Sequence, residues 1–264
     1  MTSAPNYLAN FERRSAPVMW SADLLRVADV PKSCIAPLLA AAHAEGDIRK
    51  EIAKARAAGL LRDPTLARFF DLWVLEEDEH AKAFAFLADS HGWPELDLTN
   101  RHSPTDRLRY RLAPIGLRLS ALAPGTAQVF LAIGAAAESV TRTLYRSMAR
   151  VATDEALSDL LMRIARQEAR HQAFFVAAAR DQPAPSPRQR AAIRALLVRG
   201  WHPVGMDRLG RATWLQVFGP FIAEPQVRDE MAMMDRVLDS VPALEGLDLM
   251  ARFLESSAHH LAEP

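Results

Sequence analysis

The chain has 264 residues, of which 50% are hydrophobic, enough for one large domain or a domain with an appendage. Its formal net charge is zero, so overall charge gives no electrostatic reason to expect a nucleic-acid partner. The one cysteine, Cys34, excludes a disulfide framework and a cysteine-ligated metal cluster within a single chain, and it is expected to be a small core residue.

The apolar stretches of the chain are short. No segment reaches the roughly 18 uninterrupted apolar residues that indicate a membrane-spanning helix. Residues 1–17 also lack the apolar run of a signal peptide. The sequence therefore predicts a soluble, cytoplasmic protein with no membrane span.

The first part of the chain predicts an N-terminal arm followed by long helices. Residues 1–30 are expected to form the arm, with one short helix over 21–28. Gly59 is a helix-ending residue, whereas Asp63 and Asp154 are N-cap residues. Together with the apolar periodicity, these signals predict four long helices, over residues 31–58, 64–90, 126–151 and 154–179.

A long link, residues 91–124, separates the second and third long helices. It is rich in arginine between Arg101 and Arg118 and has apolar residues at helical spacing. It is expected to be a crossover helix with a basic face, kinked or broken at Pro114. The alternative is a solvated basic helix without a specific role.

The last part of the chain, residues 182–264, is expected to be a helical extension packed on the preceding bundle. The proline-rich segment 181–188 separates the two. Further helices are predicted over 188–199, over 207–217 between Pro203 and Pro220, and within 225–261 with a break at 241–242. No stretch alternates at period two for long enough to predict a strand. The predicted fold class is all-α, with residues 31–181 forming a four-helix bundle.

Two Glu-x-x-His pairs lie on predicted long helices. Glu77 and His80 are three residues apart and so share a helix face, and Glu168 and His171 repeat the pair 91 residues later. Each pair interrupts an otherwise apolar inward face, where a carboxylate is costly unless it is paired. One pair alone is as well explained by a buried ion pair as by a metal ligand set.

The preceding helix of each half carries one inward glutamate, Glu45 in the first half and Glu138 in the second. Two helices that each give one Glu, with two that each give Glu-x-x-His, form the ligand set of ferritin-like di-iron and di-manganese carboxylate proteins. Oxygen-rich ligation with two imidazoles suits Fe or Mn better than Zn. The predicted metal ligands are Glu45, Glu77, His80, Glu138, Glu168 and His171.

The motifs resemble those of a known family. Trp-x-x-Glu-Glu-x-x-His, at residues 73–80, is similar to the signature of the soluble acyl-carrier-protein desaturases. Residues 138–141 resemble their Glu-x-x-Thr, and residues 164–171 resemble their Ile-Ala-x-Asp-Glu-x-Arg-His. The resemblance covers roughly residues 35–180 and places the chain with the ferritin-like superfamily.

The resemblance implies an O2-dependent non-haem di-iron oxidoreductase, desaturase-like, that activates a C–H bond of an acyl or similar substrate. It implies two Fe ions (or one Fe and one Mn), with Glu77 and Glu168 bridging them. Thr141 is expected to present its hydroxyl beside the oxygen site; the alternative is a packing threonine bonded to the backbone four residues earlier. The implied partners are O2, an external electron donor such as a ferredoxin, an acyl carrier protein docked at Arg107 and Arg111, and a second copy in a homodimer.

The chain departs from the family at Gln167, where these desaturases usually have an aspartate that hydrogen-bonds a metal-bound imidazole. Glutamine can accept the same hydrogen bond without charge, so ligand basicity is expected to be lower. Two alternatives stay open. One is a di-iron hydroxylase or N-oxygenase of a biosynthetic intermediate. The other is a ferritin-like iron-storage protein, against which the long extension after Ala179 argues.

Overall fold

The computed structural model describes residues 3–95 and 125–261. In these residues the protein is all-α, as predicted, with no strand. The described helices, numbered in chain order, are α1 (Ala4–Arg14), α2 (Ala22–Arg26), α3 (Lys32–Ala58), α4 (Pro64–Ser90), α5 (Thr126–Val151), α6 (Glu155–Arg180), α7 (Pro187–Gly200), α8 (Met206–Leu209), α9 (Arg211–Ile222), α10 (Pro225–Leu238) and α11 (Leu249–Leu261).

The four long helices begin and end where the sequence predicts. Asp63 accepts a hydrogen bond from the Leu66 amide at the start of α4, and Asp154 accepts one from the Leu157 amide at the start of α6. Gly59 ends α3 with φ 81°, a left-handed conformation that glycine adopts without a Cβ clash. Local capping chemistry therefore accounts for these boundaries.

The long helices form two antiparallel pairs. In the first, Arg49 of α3 pairs with Asp78 of α4, and Arg56 pairs with Asp71, so residue numbers rise along one helix as they fall along the other. In the second, Glu138 of α5 faces His171 of α6. Helix α4 also contacts α6, which joins the two pairs into one bundle.

The apolar faces predicted from periodicity point into the bundle. On α4 and α6 every residue of the predicted inward face is buried, including the four charged or titratable ones. These residues are Leu66, Phe69, Phe70, Trp73, Glu77, His80, Phe84 and Leu87 on α4, and Leu161, Ile164, Glu168, His171, Phe175 and Ala178 on α6.

The N-terminal segment contains a helix that the sequence analysis did not predict. One short helix was expected over 21–28; the structure has α2 there and also α1, residues 4–14. Pro5 in the first turn of α1 is a helix-start signal, and α1 packs on α4 and α6 through the buried Phe11. These residues cover one side of the bundle.

The C-terminal extension packs on α5, and one predicted helix in it is wrong. Instead of one helix over 207–217, the structure has α8 and α9, separated at Gly210, whose φ is 71°. Helix α9 also continues through Pro220. The preceding residue, Gly219, has no Cβ, so the usual clash before a proline is smaller.

Two further expectations concern surfaces. No helix in residues 3–95 and 125–261 is long and apolar enough to cross a membrane. The basic stretch Arg101–Arg118, with the expected carrier-docking residues Arg107 and Arg111 and the expected break at Pro114, lies outside the described residues.

Candidate metal centre

The structure brings the six predicted ligand side chains together at the centre of the bundle. Glu45 and Glu138 are each 6% exposed, and the other four are at most 1% exposed. They form two groups, in each of which one ligand atom per residue lies within 4.8 Å of the others. One group contains Glu45, Glu77, His80 and Glu168; the other contains Glu77, Glu138, Glu168 and His171. The groups share Glu77 and Glu168, the two residues expected to bridge a metal pair.

Both imidazoles present the same ring nitrogen to the carboxylates. His80 Nδ1 lies 3.2 Å from Glu77 Oε2 and 3.4 Å from Glu168 Oε1. His171 Nδ1 lies 3.0 Å from Glu77 Oε1, 3.0 Å from Glu168 Oε2 and 3.3 Å from Glu138 Oε2. Nδ1 is therefore the atom that each histidine can offer to a metal ion.

The other ring nitrogen of His80 contacts Gln167, as the sequence analysis expected. His80 Nε2 lies 2.8 Å from Gln167 Oε1, and Gln167 Nε2 donates to the Ala16 carbonyl at 2.8 Å. Because the amide oxygen accepts, the hydrogen of His80 belongs on Nε2. That tautomer leaves the Nδ1 lone pair free for a metal ion.

The matching partner of His171 is Glu76, to which the sequence analysis gave no role. His171 Nε2 lies 2.9 Å from Glu76 Oε2, and Glu76 Oε1 accepts from the Ala16 amide at 3.1 Å. Arg170 Nη2 lies 3.4 Å from the same Glu76 Oε2. Glu76 is 1% exposed, and although burial opposes ionisation, its contacts with His171 lower its pKa. The signal that could have found it is its place in the motif, directly before Glu77.

One backbone residue thus supports the outer partners of both imidazoles. The carbonyl of Ala16 holds Gln167, and its amide holds Glu76. Ala16 lies two residues after the end of α1, so the N-terminal segment helps to fix the orientation of both histidines. The two sides differ in charge, since one imidazole faces a carboxylate and the other a neutral amide.

The carboxylates of the cluster divide into two kinds. Burial raises the pKa of Glu45 well above its usual value, and the Glu77 carboxylate adds to the effect. Burial also raises the pKa of Glu138 well above its usual value, with Glu168 adding to it. Burial opposes ionisation of Glu77 too, but His80 and His171 lower its pKa well below the usual value.

Glu168 resembles Glu77. Burial and the Glu77 carboxylate oppose its ionisation, but the neighbouring Glu138, His171 and His80 side chains lower its pKa. Without a metal, the protonated form is therefore favoured at Glu45 and Glu138, and the ionised form at Glu77 and Glu168.

The imidazoles are also protonated more readily than free histidine. Burial lowers the pKa of each, but the Glu77 carboxylate and further hydrogen-bonded glutamates raise the pKa of both His80 and His171 well above the usual value. Protons on the glutamates and histidines balance the negative charge of the cluster. A bound cation can replace those protons.

The donor set fits a metal pair on an independent observation. Glu77 Oε1 and Glu168 Oε1 are buried and make no hydrogen bond, although histidine nitrogens lie 3.0 and 3.4 Å away. A buried carboxylate oxygen that makes no hydrogen bond is costly. Both belong to the shared residues of the two groups, where a cation would satisfy them.

Thr141 and Tyr145 lie on α5 beside Glu45. The Thr141 hydroxyl donates to the Ala137 carbonyl at 3.0 Å, which is the backbone contact weighed as the alternative to a role at the oxygen site. The Tyr145 hydroxyl donates to Glu45 Oε1 at 2.5 Å. This contact of Tyr145 with Glu45 depends on how α5 lies relative to α3.

Aromatic rings cover the His171 side of the cluster. The ring centroids of Phe11, Trp73 and Phe69 lie 5.7, 6.1 and 6.5 Å from that of His171, all edge-to-face. Phe11 comes from α1, so the N-terminal helix also helps to keep water away from this imidazole.

Comparison with protein-family models, curated proteins and solved structures gives no match for this chain. The interpretation of the site therefore depends on its own geometry and on the motif resemblance. The geometry shows a buried Glu/His cluster that could hold metal ions, in a protein whose described residues are all-α.

Proposed function

We propose that the protein is a ferritin-like di-metal oxidoreductase that uses O2 to attack a C–H bond of an acyl or similar apolar substrate. Two four-residue groups that share Glu77 and Glu168 carry the proposal, because each shared residue has a buried carboxylate oxygen that makes no hydrogen bond. Two Fe ions, or one Fe and one Mn, suit oxygen-rich ligation with one imidazole per metal.

The chain's own residues have distinct parts in this proposal. Glu45 and His80 hold one metal position, Glu138 and His171 hold the other, and Glu77 and Glu168 serve both. When bound, the metal pair supplies redox chemistry toward O2 that protein side chains lack. Gln167 and Glu76 keep each ligand imidazole protonated on Nε2, so that Nδ1 faces the metal.

Exclusion of water is the second contribution of the protein. The ligands are nearly inaccessible to solvent, and three aromatic rings surround His171. A dry site strengthens the electrostatic interactions within it and limits side reactions of an activated oxidant.

A small apolar cavity adjoining Glu45 favours a substrate-transforming enzyme over iron storage. It is lined mostly by apolar side chains and reaches one of the predicted ligands. The storage alternative requires no such cavity. The choice between C–H attack and N-oxygenation depends on the substrate, and the apolar lining favours a C–H bond.

The test is single-turnover oxidation. Protein reconstituted anaerobically with Fe(II) is mixed with O2, and O2 consumption and the optical spectrum are followed. The wild type and a His43→Ala control, altered at an exposed histidine of α3, should consume O2 alike, while His171→Ala should lose most of the reaction.

Product analysis extends the same experiment. Acyl chains are offered free and on an acyl carrier protein, with chemical reduction supplying electrons. A new double bond or hydroxyl in the chain supports the proposal. Iron oxidation that mineralises many Fe per chain, with no product from any acyl substrate, contradicts it in favour of storage.

A further inference from the structure

A groove lies in the C-terminal extension, between the end of α7, the start of α9 and helix α11. Its volume is about 670 Å³, and none of the six predicted metal ligands lines it. Small-molecule sites typically have about 300–1,000 Å³, so the groove has room for a medium-sized organic molecule. It is therefore a candidate binding site separate from the metal cluster.

Three arginines line this groove: Arg199 in the last turn of α7, Arg211 at the start of α9 and Arg252 on α11. All three are exposed. Within residues 3–95 and 125–261, no carboxylate forms an ion pair with any of them, and Glu255 is the only acidic residue of the lining. The groove therefore carries a net positive charge, which attracts anions.

Two of the guanidinium groups are held in place from one side only. Arg211 Nη2 donates to the hydroxyls of Ser256 at 2.7 Å and Ser257 at 2.9 Å. Arg252 Nε donates to the Leu247 carbonyl at 2.9 Å. The other N–H groups of Arg211 and Arg252 have no acceptor among the described residues. Since each guanidinium is already partly ordered, an anion can accept from its remaining N–H groups at a lower entropic cost.

The charge and geometry of the arginines favour a phosphate over a carboxylate. A guanidinium presents its N–H groups in a planar fork that matches either anion. A phosphate carries about two negative charges and at least three acceptor oxygens, whereas a carboxylate carries one charge on two oxygens. Three arginines in one groove can therefore be used together by a phosphate group.

The rest of the lining is apolar and aromatic. Leu197, Leu249 and Phe253 are buried beneath the groove. Trp201 is only partly buried, and its ring packs edge-to-face against Phe253 with centroids 6.2 Å apart. The Trp201 amide donates to the Leu197 carbonyl at 2.9 Å, which fixes this residue at the end of α7. An indole at the edge of a groove is a surface on which a flat ring can stack.

We propose that this groove binds a nucleotide, with its phosphates against Arg199, Arg211 and Arg252 and its base against Trp201. A nucleotide joins the two chemical features that the lining selects, a multiply charged phosphate and a planar aromatic ring. The site is additional to the metal cluster and does not depend on the proposed function.

The experiment measures nucleotide binding at Trp201. Full-length protein labelled with 5-fluorotryptophan is titrated with ADP in low-salt buffer without added divalent metal, and fluorine-19 NMR follows the five tryptophan signals. Trp201→Phe assigns the Trp201 signal, and Trp73, buried beside the metal cluster, is the internal reference. ADP should shift the Trp201 signal saturably and leave that of Trp73 in place. Added salt should weaken binding, because it screens the attraction between the arginines and the phosphates.

Substitution of the arginines tests which groups hold the phosphates. Arg211→Gln combined with Arg252→Gln should weaken ADP binding by about 100-fold, roughly tenfold for each arginine. Arg188→Gln combined with Arg236→Gln removes the same charge at exposed sites outside the groove and should leave the affinity unchanged. Arg199→Gln should weaken binding by about tenfold. Because Arg199 has no hydrogen bond or ion pair with a described residue, this variant serves if the groove double variant does not fold.

Adenosine and inorganic phosphate separate the two halves of the ligand, and each should bind at least about tenfold more weakly than ADP. A Trp201 signal that does not respond to ADP would overturn the proposal, as would equal ADP affinity in the wild type, Arg199→Gln and the folded groove double variant. Adenosine or inorganic phosphate that binds as tightly as ADP would also overturn it, since the phosphates or the base would then not be recognised. None of these measurements involves a bound metal, so this failure is distinct from failure of the proposed metal chemistry.

Discussion

The two histidines of the cluster differ in the residue that hydrogen-bonds their Nε2 atoms. His80 bonds to the neutral amide of Gln167, whereas His171 bonds to the carboxylate of Glu76. A carboxylate partner makes an imidazole a more basic ligand than an amide does. The metal position of His80 is therefore expected to bind divalent metal more weakly than that of His171.

Exchange of one outer partner at a time tests this asymmetry. Gln167→Glu should strengthen metal binding at the His80 position, and Glu76→Gln should weaken it at the His171 position, each by about 10- to 100-fold. Competition titration with Mn(II) measures both. Gln216→Glu, which adds the same charge at an exposed site of α9, should change nothing.

Equal affinities in the wild type, Gln167→Glu and Glu76→Gln would show that these contacts do not tune the ligands. The motif resemblance identified Gln167 as a partner of a ligand histidine, but it did not identify the contacts of Glu76 or Tyr145. Their roles depend on which atoms of other helices they meet, and helical spacing within one segment does not contain that information.

At the scale of helices, the close approach of α5 and α6 depends on Gly134. A Cβ added at this position would lie 2.4 Å from Phe175, which is itself 2% exposed and packed edge-to-face against Phe69, Phe70 and Trp73. The ring has little room to move, so added volume must displace the aromatic core beside the cluster.

Gly134→Ala should therefore destabilise the protein, although alanine favours helix. Overpacking costs about 1–3 kcal/mol, against a helix-propensity gain of about 1 kcal/mol. Gly46→Ala on α3 is the matched control, because its Cβ would meet only Ala81, at 4.0 Å, so it should be neutral or stabilising. Urea unfolding measures both; a Gly134→Ala variant as stable as Gly46→Ala would contradict the packing argument.

Helix boundaries were the most predictable feature at this scale. Gly59, Asp63 and Asp154 act through local hydrogen bonds and dihedral angles, which sequence specifies directly. Helix α1 and the division into α8 and α9 were not predicted. Their stability depends on tertiary contacts such as Phe11 with Phe69, which local periodicity does not reveal.

For the whole molecule, the cluster predicts an unusual pH dependence without metal. Glu45, Glu138, His80 and His171 all have pKa values raised well above the usual ones, so the folded state binds more protons than the unfolded chain. Stability from the histidines is fully present below their unfolded pKa, about 6.5, and is lost as pH rises through the folded pKa. The raised glutamate pKa values act in the same direction above about pH 4.5.

Metal-free protein should accordingly lose stability between about pH 6 and 9, by about 1.4 kcal/mol per pH unit for each proton released on unfolding. Urea unfolding across this range measures the slope. Glu138→Gln removes one of these titrating groups, so its stability should fall less steeply with pH. Glu51→Gln, at an exposed site of α3, should match the wild type. A flat wild-type profile would contradict the assigned protonation. Saturating metal should reverse the trend, since binding displaces these protons.

The binding of a metal pair by six buried side chains is the prediction on which the proposed function depends. Elemental analysis of anaerobically reconstituted, desalted protein tests it most directly, with Glu77→Ala, which removes a ligand shared by both positions, and Glu79→Ala, which removes a carboxylate of the same helix paired with Lys82. We expect about two Fe, or one Fe and one Mn, per chain in the wild type and in Glu79→Ala, and loss of most of the metal in Glu77→Ala. Equal metal content in all three proteins, or no bound metal in the wild type, would contradict it.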